Sequence, residues 1–592
     1  MQMKLFFKPA VKLMSIGLVT LMLNCLSCHL LKAQGFLRVN GQHLQNDNNK
    51  NFIIRAMGLG GWMLQEGYMF RLGFLGQQHK IKEKISAMVG KEAADHFYNQ
   101  WLNLHTQKAD IDSMAAWGFN AIRLPMHYGL LTLPVAEEPV PGKNTWLPKG
   151  FALIDSLLDW CKQAHIYLIL DLHAAPGGQG SDLPISDRYP DQPSLWQSKA
   201  NQDKTVALWA KLAKRYKNEP YIGGYDILNE TNWGFDDSTD IRGTKEQTNK
   251  PLRDLFIRIT EAIRKQDQNH IIYLEGNGFA NNYNGLFPLW DDNTVLSFHK
   301  YGNFTTQATI RKFLDYRKKY NVPLWLGESG ENSNNWFTGT IKLMENNNIG
   351  WAWWQLKKMG INNPLEIKIP AHYQSFIDFC ENKGPKPDKV SAQNILNELL
   401  RNIQLKNNIY HRDVIDAMFR QVQQNTSIPF KPNRITSGDT FIQAADYDLG
   451  ANGTAYNDLD TARYQYTPGV KTEGNRGHKY RNDGVDIRYD SRSRPVVFHI
   501  EAGEWLKFTT EVLKTGKYQL TFDYQPGNLP GKIRLQAGTE ATTRSFILDG
   551  TPSNSFKESA PQIMTLSKGA VPIKIIFETG GFQLRGFNLK AL

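Results

Sequence analysis

The sequence predicts an α/β chain: a (β/α)8 TIM barrel followed by an all-β sandwich of the jelly-roll kind. Three observations carry this. Short apolar runs alternate with stretches of helical periodicity from about residue 50 to residue 380. Most of those runs stop abruptly on a polar, charged or aromatic residue. From Thr436 onward helical periodicity gives way to short alternating runs such as Trp505-Leu506-Lys507-Phe508 and Tyr518-Gln519-Leu520-Thr521-Phe522. At 592 residues the chain exceeds what one hydrophobic core supports, so at least two domains are expected.

The first 34 residues read as an export signal, with basic Lys4, Lys8 and Lys12, an apolar run over 13–23, and a small-residue end at Lys32-Ala33-Gln34-Gly35. The protein is therefore expected outside the cytoplasm: extracellular, periplasmic or at the cell surface. Leu26-Ser27-Cys28 weakly resembles a lipoprotein processing site, which leaves a lipid anchor as the one route to a membrane. Downstream only Cys161 and Cys380 remain, enough for at most one disulfide. The net charge of +12 is partly the leader's and otherwise scattered, so a nucleic-acid partner is excluded and a monomer expected. Apolar content of 41% and 15 Trp describe a folded protein.

Taken in order, a strand over 52–57 leads into the turn Gly58-Leu59-Gly60-Gly61-Trp62, too tight for other residues. Helix 105–117 then precedes strand 119–125, helix 150–164 strand 166–173, and helix 204–217 strand 221–230. Helix 252–266 precedes strand 271–277, and strand 294–301 follows. Helix 309–320, strand 322–328, helix 336–345 and strand 349–356 complete eight strands. An open doubly wound sheet is the rival, but no phosphate-binding glycine loop of the required form follows the first strand. Residues 383–434 bear Pro385, Pro387, Pro429, Pro432 and one periodic helix. The expected division is a signal at 1–34, a barrel at 35–405, a linker at 406–435 and a sandwich at 436–592.

Two strands end in carboxylates: Tyr225-Asp226-Ile227-Leu228-Asn229-Glu230 and Val322-Pro323-Leu324-Trp325-Leu326-Gly327-Glu328. Parallel barrel strands deliver their C-terminal ends to one mouth, where barrel enzymes keep their chemistry. Two facing carboxylates in unlike surroundings suit glycoside hydrolysis, although such acids also cap helices. Arg123, His173, Asn229, His299, Tyr301 and Trp354 close other strands at the same mouth. A metal-dependent hydrolase would need clustered ligands such as His-x-His on the first strand, and none occurs there, so neither metal nor cofactor is expected.

The ordered set Arg-Leu-Pro, Asp-Leu-His, Leu-Asn-Glu, His-x-Tyr, Gly-Glu-Ser and a late Trp resembles glycoside hydrolase family 5, the cellulase-type retaining barrels, over residues 35–380. The resemblance implies Glu230 as acid/base and Glu328 as nucleophile. It implies Asn229 at the sugar 2-hydroxyl, Arg123 and Tyr301 beside the nucleophile, His173 and His299 lining the subsite, and Trp354 as the floor. Gly60-Gly61-Trp62 with Glu66, and Asp171-Leu172-His173-Ala174-Ala175-Pro176-Gly177, are most similar to the glucan exo-1,3-β-glucosidase branch, where Glu66 would grip the sugar. Gly58 stands where that branch usually has Asn and His127 where it has Gly, which bears on linkage rather than chemistry. The tail is similar to carbohydrate-binding module family 6 on Phe441-Ile442-Gln443-Ala444-Ala445-Asp446-Tyr447 and Gly503-Glu504-Trp505-Leu506, with Tyr480 the stacking candidate. Gln443 and Ala445 replace the Glu residues of its calcium site. The implied partner is a β-glucan or related polysaccharide; a mannan-directed hydrolase and a non-catalytic glycan-binding protein are the alternatives.

Overall fold

Eight parallel strands close into a barrel in chain order: β1 (Arg55–Gly58), β2 (Ala121–His127), β3 (Tyr167–Ala174), β4 (Ile222–Asp226), β5 (Ile272–Glu275), β6 (Thr294–Lys300), β7 (Leu324–Gly330) and β8 (Gly350–Trp354), with β8 pairing back onto β1. The structure, a computed structural model, describes residues 35–538 and 542–592, so the expected export signal lies outside it. The strands read as continuous apolar runs because both their faces are covered. One face, with Ala56, Ala121, Tyr167, Ile169, Tyr273, Val295 and Trp325, fills the barrel; the other packs under the helices. A hairpin of Arg38–Asn40 and His43–Gln45 contributes Leu37 and Leu44 to the inner cluster. The Val39 amide of this hairpin donates to Asn293, just before β6, which places the hairpin at the end of the barrel opposite the strand C-termini.

Departures from the expected elements are local. Two helices, Gln78–Val89 and Lys91–Leu104, stand between β1 and the expected helix, which runs Lys108–Trp117. Between β5 and β6 there is only a turn at Asn277–Ala280. Among the described residues no helix is long and apolar enough to cross a membrane.

The C-terminal region holds two sheets. One is built on Trp505–Val512, Gly569–Phe577, Gly531–Ala537 and Thr542–Leu548, the other on Gln583–Ala591 and Gly516–Gln525. Alternation along Trp505–Val512 sends Leu506, Phe508 and Val512 into the core between them, where Phe522, Ile573, Ile575 and Phe587 meet them.

The expected linker needs correction. Within 406–435, Ile409–Tyr410 pairs with Leu365–Glu366, and helix Arg412–Met418 buries Val414, Ile415 and Met418 in the core of the barrel. Phe419 packs edge-on against Phe119 at 5.0 Å. Prolines 429 and 432 mark the true exit; the residues before them carry an apolar stripe that has to be buried. Residues 36–592 form one compact unit, so a boundary at 405 divides a shared core.

Candidate active site

Arg123, wholly buried on β2, is the hub of the mouth. Its Nε donates to Asp226 at 2.9 Å, Nη1 to Glu328 at 2.8 Å, and Nη2 to Asn229 at 2.8 Å and Glu275 at 3.0 Å; Asp171 lies 3.3 Å away. One guanidinium thus faces four carboxyl groups away from water, where they cannot all be charged. Burial, reinforced by the charge of Glu275, pushes Asp226 well above the carboxylate range, so Asp226 keeps its proton. Burial also opposes ionisation of Glu275, but the neighbouring His299 and Arg123 cations outweigh it and hold this carboxyl below its ordinary value. For His299, burial works against the charge while Glu275 and Glu328 favour it, and the imidazole ends well above its usual value, as a cation.

Above this layer stand the two strand-end carboxylates. Glu328 on β7 has both oxygens fixed, Oε2 by Arg123 and Oε1 by the Tyr301 hydroxyl at 2.8 Å. Glu230 follows β4 with φ of 37°, a left-handed conformation that costs a residue with a Cβ about 1–2 kcal/mol. It is held there by its amide, which donates to Glu275 Oε2 at 2.6 Å, and its Oε1 lies 2.7 Å from His299 Nδ1. One oxygen of Glu230, one of Glu328 and a ring nitrogen of His299 all lie within 4.8 Å of one another. That spacing suits a shared cation, but the protonated imidazole already supplies the positive charge.

The floor is aromatic. Trp354, ending β8, stacks on His173 with centroids 5.1 Å apart and planes 6° from parallel, and its Nε1 donates to the Tyr68 hydroxyl at 2.8 Å. His173 is oriented through Nδ1 by Asp171 at 2.7 Å. The glycine turn after β1 exists for this ring: a Cβ at Gly60 would come within 2.7 Å of Trp354, and one at Gly58 within 2.8 Å. An Asn at 58 would meet the same ring, which explains the departure there. His127 turns away from the mouth, its Nε2 3.3 Å from Asp187.

A cavity of about 530 Å³ brings together Glu66, His173, Glu230, His299, Tyr301, Glu328 and Trp354. Arg123 and Asn229 lie beneath it, wholly buried. Burial, with the charges of Glu328, Glu331 and Glu230 around it, raises Glu66 well above the carboxylate range, so it is a neutral donor. A second cavity, about 600 Å³, lies under Lys82 and Lys149 and contains none of the strand-end groups. Tyr480 is not in the mouth. Expected as an open platform, it is half-buried in the sandwich, with Lys431 Nζ 5.1 Å over its ring, Phe430 against its edge and Asp446 bonded to its hydroxyl. Residues not singled out from sequence complete the site: Asp226 and Glu275 around Arg123, and Tyr68 beneath Trp354. Glu275 carries the missed signal, since β5 is another apolar run that stops on a carboxylate.

Residues 82–360 match the family model described as cellulase (glycosyl hydrolase family 5). A Beta-xylosidase of Phanerodontia chrysosporium is 27% identical over 386 residues, spanning 59% of this chain and 76% of that protein. Endoglucanase C of Acetivibrio thermocellus is 25% identical over 337 residues, 46% of this chain and 91% of that one. A Probable glucan 1,3-beta-glucosidase A of Aspergillus fumigatus is 26% identical over 259 residues, 43% of this chain and 57% of that one.

Proposed function

We propose that this glycoside hydrolase, whose barrel matches the cellulase-type family 5, is a secreted, retaining β-glycosidase cutting the O-glycosyl bonds of a β-glucan, of the exo-1,3-β-glucanase or endoglucanase type. The observation that carries the reading is the approach of Glu230 and Glu328 within 4.8 Å, beside the Trp354 floor. Inverting enzymes separate the two carboxyls by about 6.5–9.5 Å to admit a water between them; direct attack needs only about 5–5.5 Å. The endoglucanase and glucosidase names of the relatives support a β-glucan substrate. Secretion rests on the basic, apolar and small-residue order of residues 1–34.

In this reading the sugar lies over Trp354 with its anomeric carbon at Glu328. Both Glu328 oxygens are held, so the carboxylate meets the carbon without a search through rotamers. Glu230 gives its proton to the leaving oxygen as the glycosyl ester forms, and the neighbouring His299 cation balances the carboxylate left behind. Glu230 then takes a proton from water, which opens the ester. Such acid/base help contributes about 10²- to 10⁴-fold. The neutral Glu66 donates to a hydroxyl of the bound sugar. Nuclear magnetic resonance of the first-formed sugar tests the mechanism: a β-anomer is expected, and an α-anomer ends the proposal. Product analysis on laminarin, cellulose, lichenan, mannan and xylan identifies the preferred chain, xylan being included because of the Beta-xylosidase relative.

A further inference from the structure

The loop 460–467 belongs to the C-terminal sandwich, yet Gln465 and Tyr466 line the same cavity as Glu230, Glu328 and Trp354. Their position is fixed by a continuous seam onto the two barrel loops that follow the catalytic strands. After β6, the Gly302 carbonyl accepts from the Tyr466 amide at 2.8 Å, and Phe304 packs on Tyr464 at 4.8 Å. After β7, Asn332 and Arg463 exchange two hydrogen bonds of 2.7 and 3.1 Å, and Ser333 Oγ donates to the Thr461 carbonyl at 2.5 Å. Asn334 and Asn482, buried beside Asp413 and Asp483, extend the seam. Gly302 is what lets the loops close, since a Cβ there would sit 3.0 Å from both the Gln465 and Tyr466 side chains.

Tyr466 is anchored by its backbone amide, with one edge of its ring over Gly302, and the residue is otherwise 65% exposed at the cavity rim. An exposed aromatic ring beside an amide side chain, facing a catalytic cavity, is the chemistry that holds a sugar: the ring takes the apolar C–H face and the amide takes the hydroxyls. We propose that Tyr466, with Gln465, is a sugar-binding wall of the catalytic mouth supplied by the C-terminal domain, taking a β-linked glucosyl unit beyond the two joined by the bond being cleaved. The inference rests on the β-glucan reading above and adds a specificity-determining residue that the barrel itself lacks.

The test uses the full chain and compares kcat/KM on laminaripentaose with that on laminaribiose, and on cellopentaose with cellobiose. In Tyr466→Ala the pentaose-to-biose ratio of the series the protein hydrolyses is expected to fall about tenfold, the scale of one lost aromatic stack. Tyr466→Phe is expected to restore the ratio, and the melting temperature to stay at the wild-type value, because the docking hydrogen bond is made by the backbone. An unchanged ratio in Tyr466→Ala overturns the inference and leaves the β-glucan reading standing. So does a uniform fall on both lengths, which marks a structural role. A wild-type protein inactive on both series overturns the β-glucan reading and this inference with it.

Discussion

Arg123 Nη1 and Glu328 Oε2 meet at 2.8 Å although their strands, β2 and β7, are not neighbours in the barrel. The bond makes one cation serve two ends: it aims the Glu328 carboxylate into the mouth and offsets the charge of the buried acids beneath it. Replacing Arg123 by Met removes the guanidinium from Asp171, Glu275 and Glu328 and leaves His299 as the one cation among them, and breaking a buried charge cluster in this way costs about 3–5 kcal/mol. A clear fall in thermal or denaturant midpoint is expected, with turnover lost. Arg123→Lys, which cannot reach several partners at once, should fold better yet remain slow by at least about 10²-fold. Wild-type turnover in Arg123→Lys would contradict this role.

The two carboxylates should fail differently when removed. Glu328→Ala cannot form the ester and is expected to be inert on every substrate, within about 10³-fold of background. Glu230→Ala keeps the nucleophile, so a substrate whose leaving group needs no proton should still react once. Added azide should then release a β-glycosyl azide, detectable by mass spectrometry and nuclear magnetic resonance. A β-azide from Glu328→Ala, with the α-azide from Glu230→Ala, would reverse the assignment.

Glu66 is neutral in the folded protein, so Gln should imitate it and Ala should not. Glu66→Gln is expected within a few-fold of wild-type kcat/KM, and Glu66→Ala at least about tenfold below, the cost of an unmade hydrogen bond to substrate. The sign of the pH effect follows from the raised value. Between the ordinary carboxylate pKa and the higher folded one, the unfolded chain has released this proton and the folded chain has not. Stability therefore falls as pH rises through that window, and is highest below it. Denaturant titrations across pH 4 to 8 should show a shallower fall in Glu66→Gln than in wild type.

A chain ended at Leu405 should not fold. It loses Val414, Ile415 and Met418 from the barrel core, each worth about 1.5–3 kcal/mol of burial, against a total stability of about 5–15 kcal/mol. Insolubility or the absence of a cooperative melt is expected, and a sharp melt with activity on short sugars would refute it.

The barrel was legible because strands covered on both faces keep unbroken apolar runs, and the strand-end residues because such runs stop so abruptly at Glu230 and Glu328. Asp226 and Glu275 were harder to see. An acid that closes an apolar strand also reads as a cap for the next helix, until Arg123, distant in sequence, supplies its reason. The segment 406–423 was misread because its prolines are conspicuous and its short apolar stripe is not. Tyr466 left no trace at all: an exposed aromatic in a loop has no period, and only the docking of 461–466 onto 302–335 shows where it points.

The seam has a consequence for how such chains can be recombined. Because β7 runs from Glu328 straight into Asn332, Ser333 and Asn334, the C-terminal domain is keyed to this barrel rather than strung after it. It is no exchangeable cassette: a chimera carrying it would also need the loops at 301–304 and 330–335 in kind, and a foreign tail spliced at residue 436 would leave those loops bare and the rim of the mouth open.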